Sequence, residues 1–161
     1  MTGRKDLDLV IFQPATGSVT RRSFSDLAKH YQITLSENER TELKNLPTFH
    51  QADVGSVLVA LEAKACMTAH QKALPRLYDE LNSSHLTVHG AHDLAIAAGF
   101  VMINIADRFL SPGRNENTTR STRKWNEHVQ PKAVEITIDK VEQLRRRSKP
   151  GEEGYDALSI C

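Results

Sequence analysis

The apolar residues of this chain are concentrated in a few runs, and the longest run fills residues 93–110. No charged residue occurs between Leu94 and Ala106, and Asp93, Asn104 and Arg108 fall near one line of an ideal helix. The run is shorter than the roughly 20 mostly apolar residues that a membrane span needs. We therefore predict a buried core helix at 93–110, on which the other elements pack.

Shorter patterns predict the elements that precede this run. Residues 7–13 are mostly apolar, a Pro- and Gly-containing turn follows, and residues 18–22 are predicted to return as a second strand of an N-terminal β-hairpin. Residues 23–47 carry two helix starts, and at the second one Ser36 and Glu39 form a capping box. After Asp53, apolar residues recur at helical spacing, which predicts a second major helix at 54–65.

The composition changes after Leu110, because residues 111–122 contain no large apolar residue. Periodicity returns at 132–147, where length favours a helix over a strand. The predicted fold class is α+β, predominantly helical, with an N-terminal β-hairpin packed on a helical core and a flexible basic C-terminal extension. The predicted domains are a globular core at 1–110, a basic flexible linker at 111–131, a helix with a basic end at 132–149 and a disordered tail at 150–161.

Positive charge is concentrated in the C-terminal extension. The net charge of the chain is only +1, yet residues 111–149 carry 10 Lys and Arg against 5 Asp and Glu. Cations neutralise phosphates, and an exposed indole can stack on a base. The residues that we predict to bind nucleic acid are Arg114, Arg120, Arg123, Lys124, Trp125, Lys132, Arg145, Arg146, Arg147 and Lys149. The expected partner is nucleic acid, such as RNA, or an acidic protein surface. The pattern is also compatible with a homodimer.

The cysteines and histidines predict no metal or cofactor. The chain has two cysteines without CxxC spacing and no evident secretory or membrane segment, so a cytoplasmic location is expected. His85, His89 and His92 would share one face of an uninterrupted helix at zinc-ligand spacing. Neighbouring Ser, Thr and Gly residues predict instead that the helix begins near His92, which would scatter the three rings.

The stretch 23–47 has the spacing of a helix-turn-helix, with Leu27 and Ala28 in the first helix and Ile33 and Thr34 after the turn. It resembles, over these residues, the N-terminal winged-helix part of Mrr-type restriction proteins. The resemblance implies a DNA-binding regulator. The alternative interpretation is two capped helices that pack on a core, and the acidic residues of the second helix, which would repel phosphates, favour it.

Arg123 and His128 form an Arg-x4-His pair, which resembles the motif of HEPN-family ribonucleases. In that family the histidine assists attack by a 2′-hydroxyl and the arginine holds the phosphate. Pro131 would interrupt the helix that should carry the motif.

These patterns lead to one functional hypothesis and three alternatives. A Gly-rich phosphate loop, a nucleophile elbow and a carboxylate pair are not evident in the sequence, so a non-enzyme is favoured. We expect a nucleic-acid-associated or assembly accessory protein, within a larger nucleoprotein assembly, that uses its basic C-terminal arm. The alternatives are a HEPN-like ribonuclease toxin, a helix-turn-helix regulator and a protein-interaction module.

Overall fold

Helices and strands alternate along most of the chain. The computed structural model describes residues 6–19, 21–111, 115, 119 and 122–161. In chain order its elements are β1 (Leu9–Pro14), α1 (Phe24–His30), α2 (Glu37–Asn45), β2 (Val54–Cys66), α3 (His70–Ala91), β3 (Ile96–Ile103), β4 (Arg108–Leu110), β5 (Trp125–Glu127), α4 (Lys132–Glu142) and β6 (Ala157–Ile160).

Four strands form a mixed sheet in the order β1-β2-β3-β6. Strand β3 runs parallel to both of its neighbours, with Ala97 opposite Ala60 of β2 and Gly99 opposite Leu158 of β6. Strands β4 and β5 form a separate antiparallel pair. The carboxyl ends of β2 and β3 therefore lie at the same edge of the sheet, where ligands bind in many open sheets with parallel strands.

The prediction of a predominantly helical fold is wrong. Helices take 34% of the chain and strands 28%, and the two longest apolar patterns are strands β2 and β3 instead of helices. A strand inside a parallel sheet is apolar on both faces, so its sequence reads as a continuous run like that of a buried helix. The buried positions Ala97, Val101 and Ile103 reveal the true period of two.

The ends of the chain also differ from the prediction. Strand β1 pairs with β2, so residues 18–22 do not supply the second strand of an N-terminal hairpin. Residues 157–160, predicted as part of a disordered tail, form strand β6 beside β3. In both cases the partner strand is distant in sequence, and local turn signals cannot reveal such pairing.

Helix α3 is the longest helix among the described residues. It continues through Pro75 and through the Ser83-Ser84 pair. The Ser84 hydroxyl donates to the Glu80 carbonyl at 2.7 Å, so the serine bonds back to its own helix. No helix in the described part of the chain is both long and apolar enough to cross a membrane.

The core lies where α3 and α4 pack against β3. Leu81 of α3, Val101 of β3 and Val141 of α4 are almost fully buried. Tyr155, just before β6, is buried as well, and its hydroxyl donates to the Leu81 carbonyl at 2.7 Å. Burial is the main cause that raises the pKa of Tyr155, so the phenol stays neutral and serves as a donor.

The chain divides into two compact units, residues 12–57 and residues 1–11 with 58–161. Within the smaller unit, capping boxes start both helices, Ser23 with Asp26 at α1 and Ser36 with Glu39 at α2. The second box confirms the helix start read from the sequence. Gln32, between the helices, has a positive φ of 55°. The resemblance of this unit to a helix-turn-helix stays a prediction.

Candidate functional site

Two charged side chains stand on the buried face of β2 near its carboxyl end. Glu62 and Lys64 are two residues apart, so the pleat directs both to the same face of the sheet. Glu62 is only 2% exposed, and its Oε1 lies 2.5 Å from Lys64 Nζ. Its Oε2 is buried and has no hydrogen-bond partner among the described residues. A buried carboxylate oxygen without a partner is costly, so this atom suggests that a ligand completes the site.

Helix α3 adds two further charges to this pair. Glu80 Oε2 lies 3.4 Å from Lys64 Nζ, and Glu80 Oε1 lies 2.5 Å from Arg76 Nε. The hydrogen bond from Arg76 is the main cause that lowers the pKa of Glu80. Burial alone would lower the pKa of Lys64, but the hydrogen bond and the charge of Glu62, with Glu80, outweigh it and raise that pKa. Lys64 is therefore a cation at neutral pH, held between two carboxylates.

Asp8 brings another carboxylate to the same strand from the segment before β1. The Ala63 N–H donates to Asp8 Oδ2 at 2.7 Å. Ala63 stands between Glu62 and Lys64 in the chain, so this bond attaches Asp8 to the same segment of β2. Asp8 is exposed, unlike Glu62, which means that its carboxylate is open to ligands from solvent.

A groove of about 470 Å³ runs from Lys64 along the first turns of α3. Lys72 and Arg76 are exposed on this part of α3, and Lys64, Lys72, Arg76 and Glu80 all line the groove. Three of these four charges are positive. A groove lined mainly by positive charges is suited to an anionic ligand, and Lys64, which pairs with the buried Glu62, forms part of its wall.

A second groove, of about 380 Å³, lies at the N-terminal ends of α3 and α4. Its walls include His70, His128 and Phe109. The His128 ring is stacked on Phe109 at a centroid distance of 4.4 Å and meets the His70 ring edge-on at 4.2 Å. The β2–α3, β3–β4 and β5–α4 connections thus meet at the carboxyl edge of the parallel strands.

The buried His70 ring gives a pH-dependent prediction. Burial, followed by the charge of His128, lowers the pKa of His70 below the ordinary value of 6.5, so the folded protein resists protonation that the unfolded chain accepts. The His70 contribution to stability is complete above about pH 6.5 and is lost as the pH falls below it. We expect urea denaturation to show a smaller loss of unfolding free energy between pH 8 and pH 5 in His70→Asn than in the wild type. Equal losses in the two proteins would contradict this assignment.

The sequence-predicted nucleic-acid-binding residues are spread over several places. Arg114 and Arg120 lie outside the described residues. Arg123, Lys124 and Trp125 are consecutive and exposed, and Trp125, the first residue of β5, is 57% exposed. Lys132 is exposed at the start of α4 and lines the groove of His70.

The basic cluster after α4 is engaged within the protein. Arg147 is buried, and its guanidinium donates to Asp156 Oδ1 at 2.8 Å, to the Asp93 carbonyl at 2.9 Å and to the Ala95 carbonyl at 2.7 Å. Arg146 donates to the Leu158 carbonyl. Ion pairs on the surface join the two remaining members of the cluster to acidic side chains, Arg145 to Glu153 and Lys149 to Glu152.

The Arg-x4-His pair is not carried on one helix. Strand β5 lies between Arg123 and His128. The His128 ring nitrogens approach two backbone carbonyls, with Nδ1 2.8 Å from Ala106 O and Nε2 3.1 Å from Thr68 O. The ring is therefore engaged with the backbone on both sides, which leaves neither nitrogen directed at a substrate.

The histidines of α3 require a correction. The helix does not begin near His92, because α3 spans His85 and His89 and ends at Ala91. His85 is nevertheless buried, and its ring centroid lies 6.3 Å from that of His89. Across the described ranges of the chain, no three His, Cys, Asp or Glu side chains are grouped to hold a metal ion by themselves.

Sequence reasoning missed Asp8, Glu62, Lys64 and Glu80. A usable signal was present, because Glu62 and Lys64 are charged residues at strand spacing inside an apolar segment. The assignment of 54–65 to a helix placed these two side chains about 200° apart on a helical surface and hid their pairing. Comparison with protein-family models, with curated proteins and with solved structures finds no match to this chain.

Proposed function

We propose that this protein hydrolyses phosphodiester bonds of nucleic acid with the help of a divalent cation held by Asp8 and Glu62. The observation that carries the proposal is the buried, unpartnered Oε2 of Glu62, whose other oxygen pairs with Lys64, a cation that lines a basic groove. The nucleic-acid partner expected from the composition is retained. The catalytic role replaces the non-enzymatic one that the sequence favoured.

The donor set fits a hard cation such as Mg²⁺. Such ions prefer oxygen ligands and are commonly held by one or two carboxylates, with phosphate oxygens and water completing the octahedron. Asp8 and Glu62 supply two carboxylates on adjacent parts of the sheet.

In the proposed reaction, a water molecule attacks the phosphorus and the bond from phosphorus to the leaving oxygen breaks. One proton of the water passes to solvent and the leaving oxygen gains a proton, so the products are a phosphate monoester and a hydroxyl. A divalent cation held by Asp8 and Glu62 would polarise a phosphoryl oxygen. The protonated Lys64, fixed between Glu62 and Glu80, stabilises the negative charge that develops on the phosphate. Lys72 and Arg76 bind neighbouring phosphates along the groove.

The proposal is tested by cleavage and by cation binding. Purified protein is incubated with supercoiled plasmid DNA and with labelled single-stranded RNA, each with Mg²⁺, with Mn²⁺ or with excess EDTA. We expect cleavage of at least one substrate with a divalent cation and none in EDTA. Cleavage that persists in EDTA, or no cleavage of either substrate with either cation, would overturn the proposal.

Direct binding of Mn²⁺, followed by its electron paramagnetic resonance signal, separates the cation site from catalysis. We expect Asp8→Asn to weaken Mn²⁺ binding, because it removes one of two anionic ligands. Asp79→Asn is the matched control, since Asp79 is an exposed aspartate on α3 next to Glu80. Equal affinities of the two variants would remove Asp8 from the site.

The second candidate function is the non-catalytic one, a nucleic-acid-associated or assembly accessory protein. The observation in its favour is the exposed Trp125, which follows the exposed Arg123 and Lys124. An exposed indole beside cations can stack on an unpaired base. The two candidates differ in their dependence on a cation, because stacking and phosphate contacts persist in EDTA and produce no cleavage.

Trp125 provides a spectroscopic test of this second candidate. It is the one tryptophan of the chain, so quenching of intrinsic fluorescence by single-stranded oligonucleotides in EDTA would report this residue alone. We expect Trp125→Ala to cost about 1–3 kcal/mol of binding free energy, measured by fluorescence anisotropy of a labelled oligonucleotide. Ile105→Ala, at another exposed apolar residue, is the control. An unquenched tryptophan, with no loss of affinity in Trp125→Ala, would exclude stacking at this position.

A further inference from the structure

The groove at the start of α3 contains a buried polar side chain, the imidazole of His70. His70, the first residue of α3, is 3% exposed, and its ring nitrogens make no hydrogen bond of ordinary length to the described residues, with the backbone of Asn104 as a weak partner of the ring. His70 lines the groove of about 380 Å³. A neutral imidazole offers one N–H donor and one acceptor, and leaving both buried and unused is costly. Both nitrogens are shielded from solvent, so the ring would donate a hydrogen bond to a ligand in the groove after a small rotation toward it.

The neighbouring His128 ring is a fixed part of the wall. Its two nitrogens approach the carbonyl oxygens of Ala106 and Thr68, which can only accept hydrogen bonds. Phe109 stacks on the ring and holds it in place. His128 thus forms a fixed wall next to His70, with its nitrogens engaged by the backbone.

The end of α3 is a source of positive potential. The helix is 22 residues long, its N-cap residue Ala69 provides no side-chain acceptor, and its first turn contains no acidic residue. The first backbone N–H groups and the helix dipole therefore favour an anion at this end. Lys72 and Lys132 are exposed at the groove, and Glu127 is the one acidic residue in its lining.

We propose that this groove binds a phosphate group of a nucleic-acid strand, as a subsite next to the Glu62–Lys64 site. The inference rests on the proposed function, since it assigns a second phosphate of the same substrate. Both grooves are lined by Ala69 and Lys72, so they lie next to each other at the first turn of α3. His70 donates to a phosphate oxygen, and Lys132 and the end of α3 neutralise its charge.

The first experiment uses inorganic phosphate as the probe. The imidazole signals of His70 are followed by NMR while phosphate is added to the full chain in EDTA, with chloride at equal ionic strength as the reference. We expect a saturable shift of the His70 signals with phosphate and not with chloride, and a weaker response in Lys132→Gln. No saturable shift, or the same shift with chloride, would overturn the subsite.

The second experiment uses nucleic acid without catalysis. A labelled DNA duplex and a labelled single-stranded RNA are first compared in EDTA, and the one that the wild type binds more tightly is chosen. The affinity for this oligonucleotide is then measured in EDTA over a salt series. We expect Lys132→Gln to reduce the slope of log K against log salt by about one, as the loss of one phosphate contact does. Lys29→Gln, at an exposed lysine of α1, is the charge-matched control and should keep the wild-type slope.

The outcomes separate this inference from the proposed function. In one outcome the wild type cleaves with Mg²⁺, and Lys132→Gln and His70→Asn both bind the oligonucleotide with wild-type affinity. This outcome would overturn the subsite and leave the catalytic proposal intact. In the other outcome the wild type shows no cleavage, and Lys132→Gln loses affinity for the oligonucleotide. This outcome would support the subsite and overturn the catalytic proposal.

Discussion

Glu62→Gln and Lys64→Met are expected to remove most of the cation-dependent cleavage while the protein remains folded. Glu62→Gln keeps the size of the side chain but replaces the carboxylate that should hold the cation. Lys64→Met keeps the apolar stem and removes the charge that stabilises the phosphate. Loss of one preorganised group of this kind costs about 10²–10³-fold in kcat. The measurement is the initial rate of cleavage at saturating Mg²⁺.

Controls separate this effect from loss of folding. Lys64→Met leaves Glu62 and Glu80 without their shared cation, so its thermal unfolding must be measured alongside its activity. Glu142→Gln, at an exposed glutamate of α4, and Lys29→Met are the matched controls. Folded Glu62→Gln and Lys64→Met proteins that cleave at the wild-type rate would show that this pair is only a buried ion pair.

Arg147→Met is expected to lower the free energy of unfolding by about 1–3 kcal/mol, the usual cost of leaving buried hydrogen-bonding groups without their partner. Arg147 joins the backbone before β3, at Asp93 and Ala95, to the Asp156 carboxylate before β6. Asp156 also accepts from the Ala97 N–H at 2.7 Å. Burial alone would raise the pKa of Asp156, but the hydrogen bond from Arg147 and the other contacts lower it. Without the guanidinium, this carboxylate would lose its main partner.

Arg145→Met is the matched control, because the same substitution two residues earlier removes a surface ion pair. Arg145 and Glu153 are both largely exposed, and such pairs contribute about 0–1 kcal/mol. Urea denaturation of the two variants measures the difference directly. Similar losses for both would contradict the structural role of Arg147. The expected result also means that weaker nucleic-acid binding by an Arg147 variant would report unfolding instead of a lost phosphate contact.

Only part of the candidate site could be predicted from the sequence. The basic residues and the exposed Trp125 could be identified from composition, since charge and aromatic content do not depend on the fold. Glu62 and Glu80 belong to different elements, and Asp8 is 55 positions away from the backbone N–H that it accepts from. Residues separated in this way become neighbours only through strand pairing and helix packing, which local patterns do not encode.

By itself, the sequence determined where apolar segments occur, where some helices begin and where charge accumulates. The Ser36–Glu39 capping box is present because its hydrogen bonds join residues three positions apart. Only the tertiary structure decided that 54–66 and 96–103 are strands, since a continuous run of apolar residues has the same composition in either conformation. The tertiary structure also buried Arg147, a residue that composition assigned to a solvent-facing basic arm. Charge is a property of the residue, whereas exposure is a property of the packed chain.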